Sequence, residues 1–399
     1  MDKIRKFISK ALAFIYVFIF SVCKKKKVVV NNKILIIATG HMGNAVMDID
    51  AVMAIKKIFI QEGKEVYLLC PPTIWIAFNL IEDMSGITYI GDKCYYGGYD
   101  TDFKNVYKIV NALKGYEFEK IIVTLTNDPE AHYVVAGLSF NQSYGVFDDI
   151  RHTAGGLRYY FEKYYTNKII APMNMHEFQR LKLLVQALGE VKYETGIRFI
   201  KPTESVTSRK KPYITIAMDS MVTARRWPIE KYIQFAEYVL ENTDYLVYLT
   251  GSKIDPKDRK NLEAILKNKK VFNFIGKTSL TEWIEMLRGS SFHLSVDSGS
   301  VHFAASVGTP CVCLCGVWDG TRCMPYQFDL SDSRTSTPIC VYQKDYLKVT
   351  ENCYACKMKT GKFGIGNDLC RKAVNNKKPC LCLSNIEVSQ VIEAFNEMI

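Results

Sequence analysis

The residues best suited to chemistry form a polar turn in the second half of the chain, from Asp297 to His302. An apolar run typical of a strand precedes it, and an alanine-rich stretch typical of a helix follows. We expect unpaired backbone N–H groups at Gly299, Ser300 and Val301, which together with the helix dipole suit a diphosphate. Asp297 would order the turn or bind a sugar hydroxyl, and His302 would donate to a phosphate. The same pattern also suits an ordinary capped helix with a core histidine.

Two adjacent arginines, Arg225 and Arg226, form a second candidate anion site. They follow the apolar run 213–217, with Ser220 between, so they are predicted at the carboxyl end of a strand. Planar guanidinium groups bind phosphate through two hydrogen bonds. A solvated arginine pair on the surface is the alternative interpretation.

Two glycine-containing turns complete the candidate groups. Gly276 lies in a turn before a capping box formed by Ser279 and Glu282, which predicts a helix start. In the first half, the turn Gly40-His41-Met42-Gly43-Asn44 separates a short apolar run from an apolar pattern of helical spacing.

These groups lie within an alternation of strand and helix patterns, which predicts parallel sheets with crossover helices. The predicted strands are 34–38, 65–70 and 120–125 in the first half, and 213–217, 245–250, 292–296 and 311–315 in the second. The polar stretch 201–211 separates the two halves. We predict two Rossmann-like, doubly wound α/β domains facing a cleft, because ligands of parallel sheets bind at the carboxyl ends of the strands.

Composition narrows the class of protein. The chain has 399 residues, 23% charged and 48% hydrophobic, which excludes a disordered or collagen-like chain. The net charge of +11 is concentrated in two segments, residues 1–27 with +7 and residues 351–382 with +5, so the remainder carries −1. A neutral body argues against a nucleic-acid partner.

The N-terminal segment combines basic flanks with an apolar run at 11–22. As a helix this run spans about 18 Å, short of the ~30 Å hydrocarbon core of a bilayer. A tetralysine at 24–27 follows it in place of a signal-peptide cleavage site. We predict an anchor on a membrane surface, with the lysines on anionic lipid. Packing of the segment on its own domain is the alternative.

Four motifs in order resemble the heptosyltransferase family, glycosyltransferase family 9. They are Arg-Arg-Trp-Pro from Arg225, Gly-Lys-Thr-Ser-Leu from Gly276, Val-Asp-Ser-Gly-Ser-Val-His ending at His302, and Gly-Thr-Pro from Gly308. The resemblance implies a GT-B fold whose C-terminal domain binds a nucleotide-diphospho-sugar, typically ADP-heptose. By position, the donor-binding residues it implies are Ser220, Arg225, Arg226, Gly276, Asp297, Ser298, Gly299, Ser300 and His302.

The resemblance also reaches the first half, where Gly40, His41 and Gly43 match the acceptor-side turn. Family members usually carry an aspartate after the second glycine, thought to deprotonate the acceptor hydroxyl while the sugar is transferred with inversion. This chain has Asn44 there, and an amide is no general base. Asp48, one helical turn later, and Asp128, after the strand at 120–125, are the candidate bases, because an ordinary aspartate is ionised at pH 7. His41 is a further candidate, and the absence of any dedicated base stays open.

Ten of the thirteen cysteines lie from Cys311 onward. Those at 311, 313 and 315 alternate along an apolar strand and are predicted to be core residues. Cys353, Cys356, Cys370 and Cys382 include one C-x-x-C pair and suit a structural zinc or iron ion, with unmodified thiols as the alternative. Disulfides are disfavoured, because the nucleotide-sugars implied by the resemblance are found in a reducing compartment.

The sequence therefore predicts an inverting glycosyltransferase that moves a heptose-like sugar from a nucleotide-diphospho donor to a glycolipid such as lipopolysaccharide core. We expect no cofactor for transfer, and a location in the cytoplasm on the inner-membrane surface. A protein O-glycosyltransferase and an inactive nucleotide-sugar-binding relative are the alternatives. The predicted divisions are an anchor at 1–27, an acceptor domain at 28–205, a donor domain at 206–345, and a cysteine-rich loop with a closing helix at 346–399.

Overall fold

The chain forms two compact units, Met1–Gly196 and Ile197–Ile399, in a computed structural model. The structure describes residues 2–23, 31–91, 103–126, 129–149, 156–203, 212–218, 220, 222–254, 256–318, 320–344, 355–356, 362, 364 and 368–399. The domain limits drawn from the sequence, with their division at 205/206, stay predictions.

The first unit is a parallel sheet with helices on its faces. Its strands are Lys33–Ile37 (β1), Glu65–Leu69 (β2), Ile87–Tyr89 (β3), Glu117–Val123 (β4), Ser139–Asp148 (β5) and Asn167–Ala171 (β6). Its helices are Asp2–Cys23 (α1), Met42–Gln61 (α2), Pro72–Ile81 (α3), Phe103–Leu113 (α4), Pro129–Gly137 (α5) and Glu177–Ala187 (α6), with a 3₁₀ segment at Gly156–Tyr164. The strands pair in the order β3-β2-β1-β4-β5-β6, all parallel.

The second unit repeats this plan. Its strands are Tyr213–Ala217 (β7), Leu246–Thr250 (β8), Val271–Asn273 (β9), Phe292–Val296 (β10), Cys311–Leu314 (β11) and Ile339–Val341 (β12). Its helices are Ile229–Asn242 (α7), Pro256–Leu262 (α8), Leu280–Arg288 (α9), Gly299–Ser306 (α10), Asp368–Asn375 (α11), Leu381–Ser384 (α12) and Val388–Met398 (α13), with 3₁₀ segments at Thr223–Arg225 and Ile265–Lys267. The parallel order β12-β11-β10-β7-β8-β9 is that of the first unit, strand for strand.

The apolar runs of the sequence become the central strands because both faces of each sheet are covered. Every residue of β7 and of β10 is buried, and both strands begin and end where the sequence places them. The prediction of two parallel α/β domains is confirmed.

The end of the chain closes the second unit. The Phe395 ring of α13 packs 5.5 Å from Phe235 on α7 and 4.9 Å from Phe292 on β10, in both cases edge to face. Just before this helix, the Ile386 carbonyl accepts a hydrogen bond from the Trp227 indole at 3.1 Å. The C-terminal residues therefore brace the loop that carries Arg225 and Arg226.

The N-terminal segment forms one 22-residue helix, α1. Its Ala13 and Val17 are fully buried in a cluster with Val106, Val110 and Phe161. Part of the segment thus packs on its own unit, which was the alternative interpretation of the sequence. Among the helices that the structure describes, none has the length and apolar character needed to cross a bilayer.

Candidate functional site

The predicted site residues cluster at the point in each sheet where the strand order reverses. In the first unit this point lies between β1 and β4, and in the second between β7 and β10. Ligands of open parallel sheets bind in the crevice outside the carboxyl ends of such strands. The turns after β1, β7 and β10 carry Gly40–Asn44, Ser220–Arg226 and Asp297–His302 respectively. Sequence and topology thus select the same edge of each sheet.

Arg225 ends the short 3₁₀ turn after β7, and Trp318 follows β11. The guanidinium carbon lies 5.8 Å from the centre of the Trp318 ring. Because β10 lies between β7 and β11, this contact passes over the carboxyl end of β10. A cationic group is thus held across the strand that leads into the polar turn at Asp297.

Trp318 is placed by the chain around it. Its side chain is 1% exposed, and a Cβ atom added to Gly316 would come within 1.5 Å of its ring. Only glycine at 316 leaves room for the ring. The Ala224 carbonyl next to Arg225 accepts a hydrogen bond from Cys380 N at 3.0 Å, which fixes the other side of the contact.

Arg226 and Ser220 play a different part from Arg225. Arg226 Nε donates to the Ser220 carbonyl at 2.9 Å and so closes the loop after β7 on itself. The Ser220 hydroxyl accepts a weak hydrogen bond from Val222 N at 3.4 Å. In this structure the arginine pair is therefore divided, with Arg226 ordering the loop and Arg225 lying against Trp318.

The turn after β10 presents backbone N–H groups, as predicted, but fewer of them. Within the described residues, no hydrogen bond takes up the N–H of Gly299 or Ser300, the first two residues of α10. The prediction for Val301 was wrong, because its N–H donates to the Ser298 carbonyl at 3.2 Å and tightens the turn. Two N–H groups and the helix dipole thus remain for an anion.

Three hydroxyls support this turn from below. Ser295 Oγ donates to the Ala217 carbonyl at the end of β7, and it lies 3.2 Å from Ser298 Oγ. Ser298 Oγ in turn lies 3.0 Å from Ser300 Oγ. Because these hydroxyls bond to one another, the Ser298 side chain does not cap α10, and the N-terminus keeps its two donors.

His302 connects the polar turn to a residue that the sequence did not single out. Its Nδ1 lies 2.7 Å from the Tyr326 hydroxyl, and its Nε2 lies 4.0 Å from Asp297 Oδ1. Burial raises the pKa of Tyr326 well above its ordinary value, so the phenol keeps its proton. When that proton is donated to Nδ1, the ring hydrogen resides on Nε2, facing Asp297.

The remaining two motifs of the second unit stabilise the loops and helix ends around this site. Gly276, at φ +68°, donates its N–H to the Gly251 carbonyl at 2.9 Å, which ties the loop after β9 to the loop after β8. The predicted capping box is present, with Ser279 N donating to Glu282 Oε2 at 2.7 Å. Thr309 Oγ1 donates to the Leu287 carbonyl at 2.7 Å, so the Gly-Thr-Pro segment anchors the far end of α10.

In the first unit, Asn44 has a structural partner. Its Oδ1 accepts the His41 N–H at 2.9 Å, and Asn44 N donates to the His41 carbonyl, so the two residues cap α2 reciprocally. Gly40 has φ +111°, and a Cβ there would lie 2.6 Å from Asn44 Oδ1. The buried Gly43 lies inside this first helical turn. The position that the family fills with aspartate is here filled by a neutral cap of nearly the same shape.

Asp48 lies one turn further along α2 and is 4% exposed. Thr124 Oγ1, just beyond β4, donates to its Oδ2 at 2.9 Å. Burial raises the pKa of Asp48 to about 8, the Thr124 hydrogen bond lowers it, and nearby Glu177 raises it further. The assumption that Asp48 is ionised at pH 7 without tuning was therefore wrong, because the carboxyl group is desolvated.

The other candidate bases are Asp128 and His41, and the structure describes only His41. Asp128 lies outside the described residues, so its role stays a prediction. His41 is half-buried at the start of α2.

A buried ionic group at the carboxyl end of β5 was not anticipated. Arg180 on α6 is 2% exposed, and its Nη1 lies 3.0 Å from Asp148 Oδ1. Its Nη2 donates to the Val146 carbonyl at 2.9 Å. Glu177 Oε2 lies 3.9 Å from Arg180 Nε. This group fixes α6 beside Asp48, and no motif in the sequence pointed to it.

The cysteines divide into two groups. Burial raises the pKa of Cys311 to about 12 and that of Cys313 and Cys315 well above its usual range, as expected for core thiols on β11 and at its end. In the C-terminal group, the neighbouring Cys380 thiol and the hydrogen bond from Leu381 N lower the pKa of Cys370 below its usual range.

The predicted metal site is only partly described. Cys356 and Cys370 are buried, Cys382 is half-buried, and Cys353 lies outside the described residues. In the part of the chain that the structure describes, no three His, Cys, Asp or Glu side chains are placed to share a metal ion. The described cysteines alone therefore do not make the predicted centre.

The fold and the polar edges define the class of protein. Two parallel α/β units of one strand order, with polar turns at the carboxyl ends of their central strands, define an α/β protein that presents ligand-binding edges at its sheets. The model of glycosyltransferase family 9 (heptosyltransferase) matches residues 106–349. The chain belongs to this family, which confirms the resemblance and classes it as a glycosyltransferase.

Individual relatives agree with this assignment. Lipooligosaccharide heptosyltransferase 2 of Haemophilus influenzae is 33% identical over 96 residues, which cover 23% of this chain and 28% of that protein. The chain thus matches less than a third of the length of this curated relative.

Two solved structures share the fold over nearly the whole chain. The family 9 glycosyltransferase from Veillonella parvula has a TM-score of 0.63 at 16% identity, covering 93% of this chain and 99% of that one. The ADP-heptose LPS heptosyltransferase II of E. coli has a TM-score of 0.58 at 16% identity, covering 92% and 98% respectively. These likenesses show the GT-B fold with its two parallel-sheet domains.

Proposed function

We propose that the protein transfers a heptose-like sugar from a nucleotide-diphospho-sugar to a glycolipid acceptor, with inversion. The observation that carries this proposal is the anion-binding edge of the second unit, where the Gly299 and Ser300 N–H groups lie at the end of β10 and Arg225 is held across that strand. The E. coli relative is an ADP-heptose enzyme by its name, which makes ADP-heptose the first donor to test.

Each group has a stated part in the reaction. As the bond between the sugar and the diphosphate breaks, negative charge grows on the leaving diphosphate. The two N–H groups, the dipole of α10 and the Arg225 guanidinium stabilise that charge where it develops. Asp297 orients a sugar hydroxyl, and His302 donates a hydrogen bond from Nε2 to a phosphate of the donor. No cofactor is required for these steps.

Donor binding is tested by thermal shift against ADP-, GDP- and UDP-sugars. Stabilisation by one nucleotide class, lost in Arg225→Gln, would support the proposal. Arg334→Gln is the matched control, because Arg334 is an exposed arginine of the same unit that pairs with Asp332. No stabilisation of the wild-type protein by any of the sugars would exclude a donor site of this kind.

The acceptor side is assigned to the first unit, at Gly40–Asn44 and Asp48. Because Asn44 replaces the family aspartate, Asp48 and Asp128 are kept as the proposed bases. Transfer is measured with radiolabelled donor against a lipopolysaccharide-core acceptor and, separately, against protein hydroxyl acceptors. Product on protein alone would replace the glycolipid by a protein acceptor.

A second candidate function is nucleotide-sugar binding without transfer. Two observations favour it, namely the neutral cap at Asn44 and the raised pKa of Asp48, which leaves Asp48 largely protonated at pH 7. Donor-induced stabilisation without turnover at any pH between 6 and 9 would select this function.

With a membrane glycolipid as acceptor, the proposed location is the cytoplasmic side of the inner membrane.

A zinc or iron ion at Cys353, Cys356, Cys370 and Cys382 is a separate proposal, since thiolates are soft ligands for either metal. Elemental analysis of the purified protein, with thiol titration before and after a chelator, tests it. Absence of stoichiometric metal together with fully titratable thiols would remove the centre and leave the transferase proposal intact.

A further inference from the structure

The helix α1 has two faces of opposite character. One face carries small side chains every fourth residue, at Ser9, Ala13, Val17 and Ser21. Ala13 and Val17 are fully buried, and Ser21 is 9% exposed. Small residues at this spacing let a helix approach its neighbours closely.

This face is joined to the first unit by specific contacts. Ser9 Oγ accepts the Phe103 N–H at 3.0 Å, and Ser21 Oγ accepts the Tyr164 hydroxyl at 2.8 Å, so both ends of the helix are tied. Between them, Phe14 packs 5.2 Å from Phe161 and Tyr16 packs 5.3 Å from Tyr107. The helix is therefore docked along most of its length.

The opposite face is apolar and open to solvent. Its exposed large side chains are Ile4, Phe7, Ile8, Leu12, Ile15, Phe18, Ile19 and Val22. At about 100° per residue these positions fall within an arc of roughly 140°. Exposed Arg5 lies next to one edge of this arc. An apolar stripe that extends along a whole helix with a basic residue at its edge is typical of a helix lying in a membrane interface.

We infer that this stripe is the surface by which the first unit lies on an anionic bilayer, while the opposite face of α1 stays packed on α4, α5 and the segment Gly156–Tyr164. The charge of the N-terminal segment favours an anionic bilayer over a second copy of the chain as the partner of the stripe. Residues 1–27 carry a net +7, which attracts anionic lipid and repels the same segment of a second copy. The membrane-binding helix is then a rigid part of the domain, and its docking fixes which side of the unit faces the lipid.

The inference is tested with the full chain and vesicles. Ile8→Gln combined with Ile15→Gln alters two stripe residues that are 51% and 50% exposed, which leaves the docked face intact. We expect partition onto vesicles of phosphatidylglycerol and phosphatidylcholine to fall about a hundredfold, roughly tenfold for each apolar side chain. Wild-type binding should weaken with added salt and on vesicles of phosphatidylcholine alone.

The matched control is Ile76→Gln combined with Ile170→Gln, because these side chains are 51% and 60% exposed but lie on α3 and β6. This pair should bind vesicles like the wild type. Equal vesicle binding by the wild type, the stripe variant and the control variant would overturn the inference. So would a wild-type protein that is a dimer without lipid and a stripe variant that is a monomer.

The docked state is tested by hydrogen exchange. The backbone of α4 should keep its protection when vesicles are added, because Val106 and Val110 stay covered by α1. Loss of that protection on binding would mean that α1 leaves the domain, which contradicts a rigid docked helix. Vesicle binding and sugar transfer are measured separately, so either result stands without the other.

Discussion

The Arg225 guanidinium lies 5.8 Å from the centre of the Trp318 ring, although the two residues follow strands that are separated in the sheet by β10. A cation over an indole face is attracted by the ring quadrupole, and a buried ring holds that cation in one place. The contact therefore fixes a positive charge at the carboxyl-end edge of the sheet to which the Asp297 turn also belongs. It depends on Trp318, which belongs to none of the motifs in the sequence.

Trp318→Phe tests this contact. The smaller ring with its weaker quadrupole should hold Arg225 less firmly, so we expect the Kd of the donor, measured by calorimetry, to rise about three- to tenfold. The loss of buried ring area should lower the free energy of unfolding by about 1–2 kcal/mol. Trp283→Phe, in the same unit but on α9, is the control and should leave donor affinity unchanged. Equal affinity in wild type and Trp318→Phe would separate Arg225 from the donor site.

Tyr326→Phe tests the partner of His302. Loss of the phenol removes the group 2.7 Å from Nδ1 and releases the choice of ring tautomer. We expect kcat with the donor to fall about tenfold or less. The free energy of unfolding should fall by about 1 kcal/mol, because buried His302 Nδ1 loses this partner while the two rings keep their stacking at 5.7 Å. The pH profile of kcat should change in the variant. An unchanged profile with an unchanged kcat would leave Tyr326 a purely structural residue.

Much of the donor side could be predicted from the sequence, because its determinants are local. Strand runs such as 213–217 and 292–296, a following glycine turn and a helix start are properties of neighbouring residues, and parallel topology brings their ends to one edge. Trp318 and Tyr326 could not be found in this way. Their partners are 93 and 24 residues away in the chain, and their roles follow from tertiary packing alone.

The acceptor side shows the same division. The turn at Gly40 and the helix after it follow from local pattern, and so does the position of Asp48 on the face of Asn44. The protonation state of Asp48 does not, because it is set by burial and by Glu177, which comes from a different helix. The sequence alone predicts an ordinary pKa for Asp48, because the burial that raises this pKa arises only from tertiary packing.

Asn44→Asp asks whether this chain has lost the family base. The carboxylate can accept the His41 N–H as the amide does, and a negative charge at the N-terminus of α2 is favourable, so the variant should fold with equal or slightly higher stability. If the missing base limits transfer, the rate should rise about tenfold or more. Asn44→Ala, which removes the cap, should lose about 1 kcal/mol of stability. A folded Asn44→Asp protein with unchanged turnover would show that Asn44 is a cap and nothing more.

Asp48 makes stability depend on pH in a direction that can be measured. Its pKa in the folded protein is about 8, above the 3.8 of an ordinary aspartate, so the unfolded chain loses this proton at lower pH than the folded one. The stability that this group contributes is complete below about pH 4 and is lost as the pH rises toward 8. In Asp48→Asn the amide can still accept from Thr124, but the titration is gone.

The free energy of unfolding of Asp48→Asn should therefore exceed that of the wild type by an amount that grows between pH 4 and pH 8, at most by about 1.4 kcal/mol per pH unit. Denaturant titrations at pH 3.5, 5.5 and 7.5 measure this difference, and pH 3.5 serves as the internal reference. If Asp48 is also the base, the wild-type transfer rate should climb with pH toward 8, because only the deprotonated carboxylate can take the acceptor proton. A stability difference that stays constant across the series would mean that Asp48 is solvated in the folded protein. It would exclude a protonated Asp48 at pH 7.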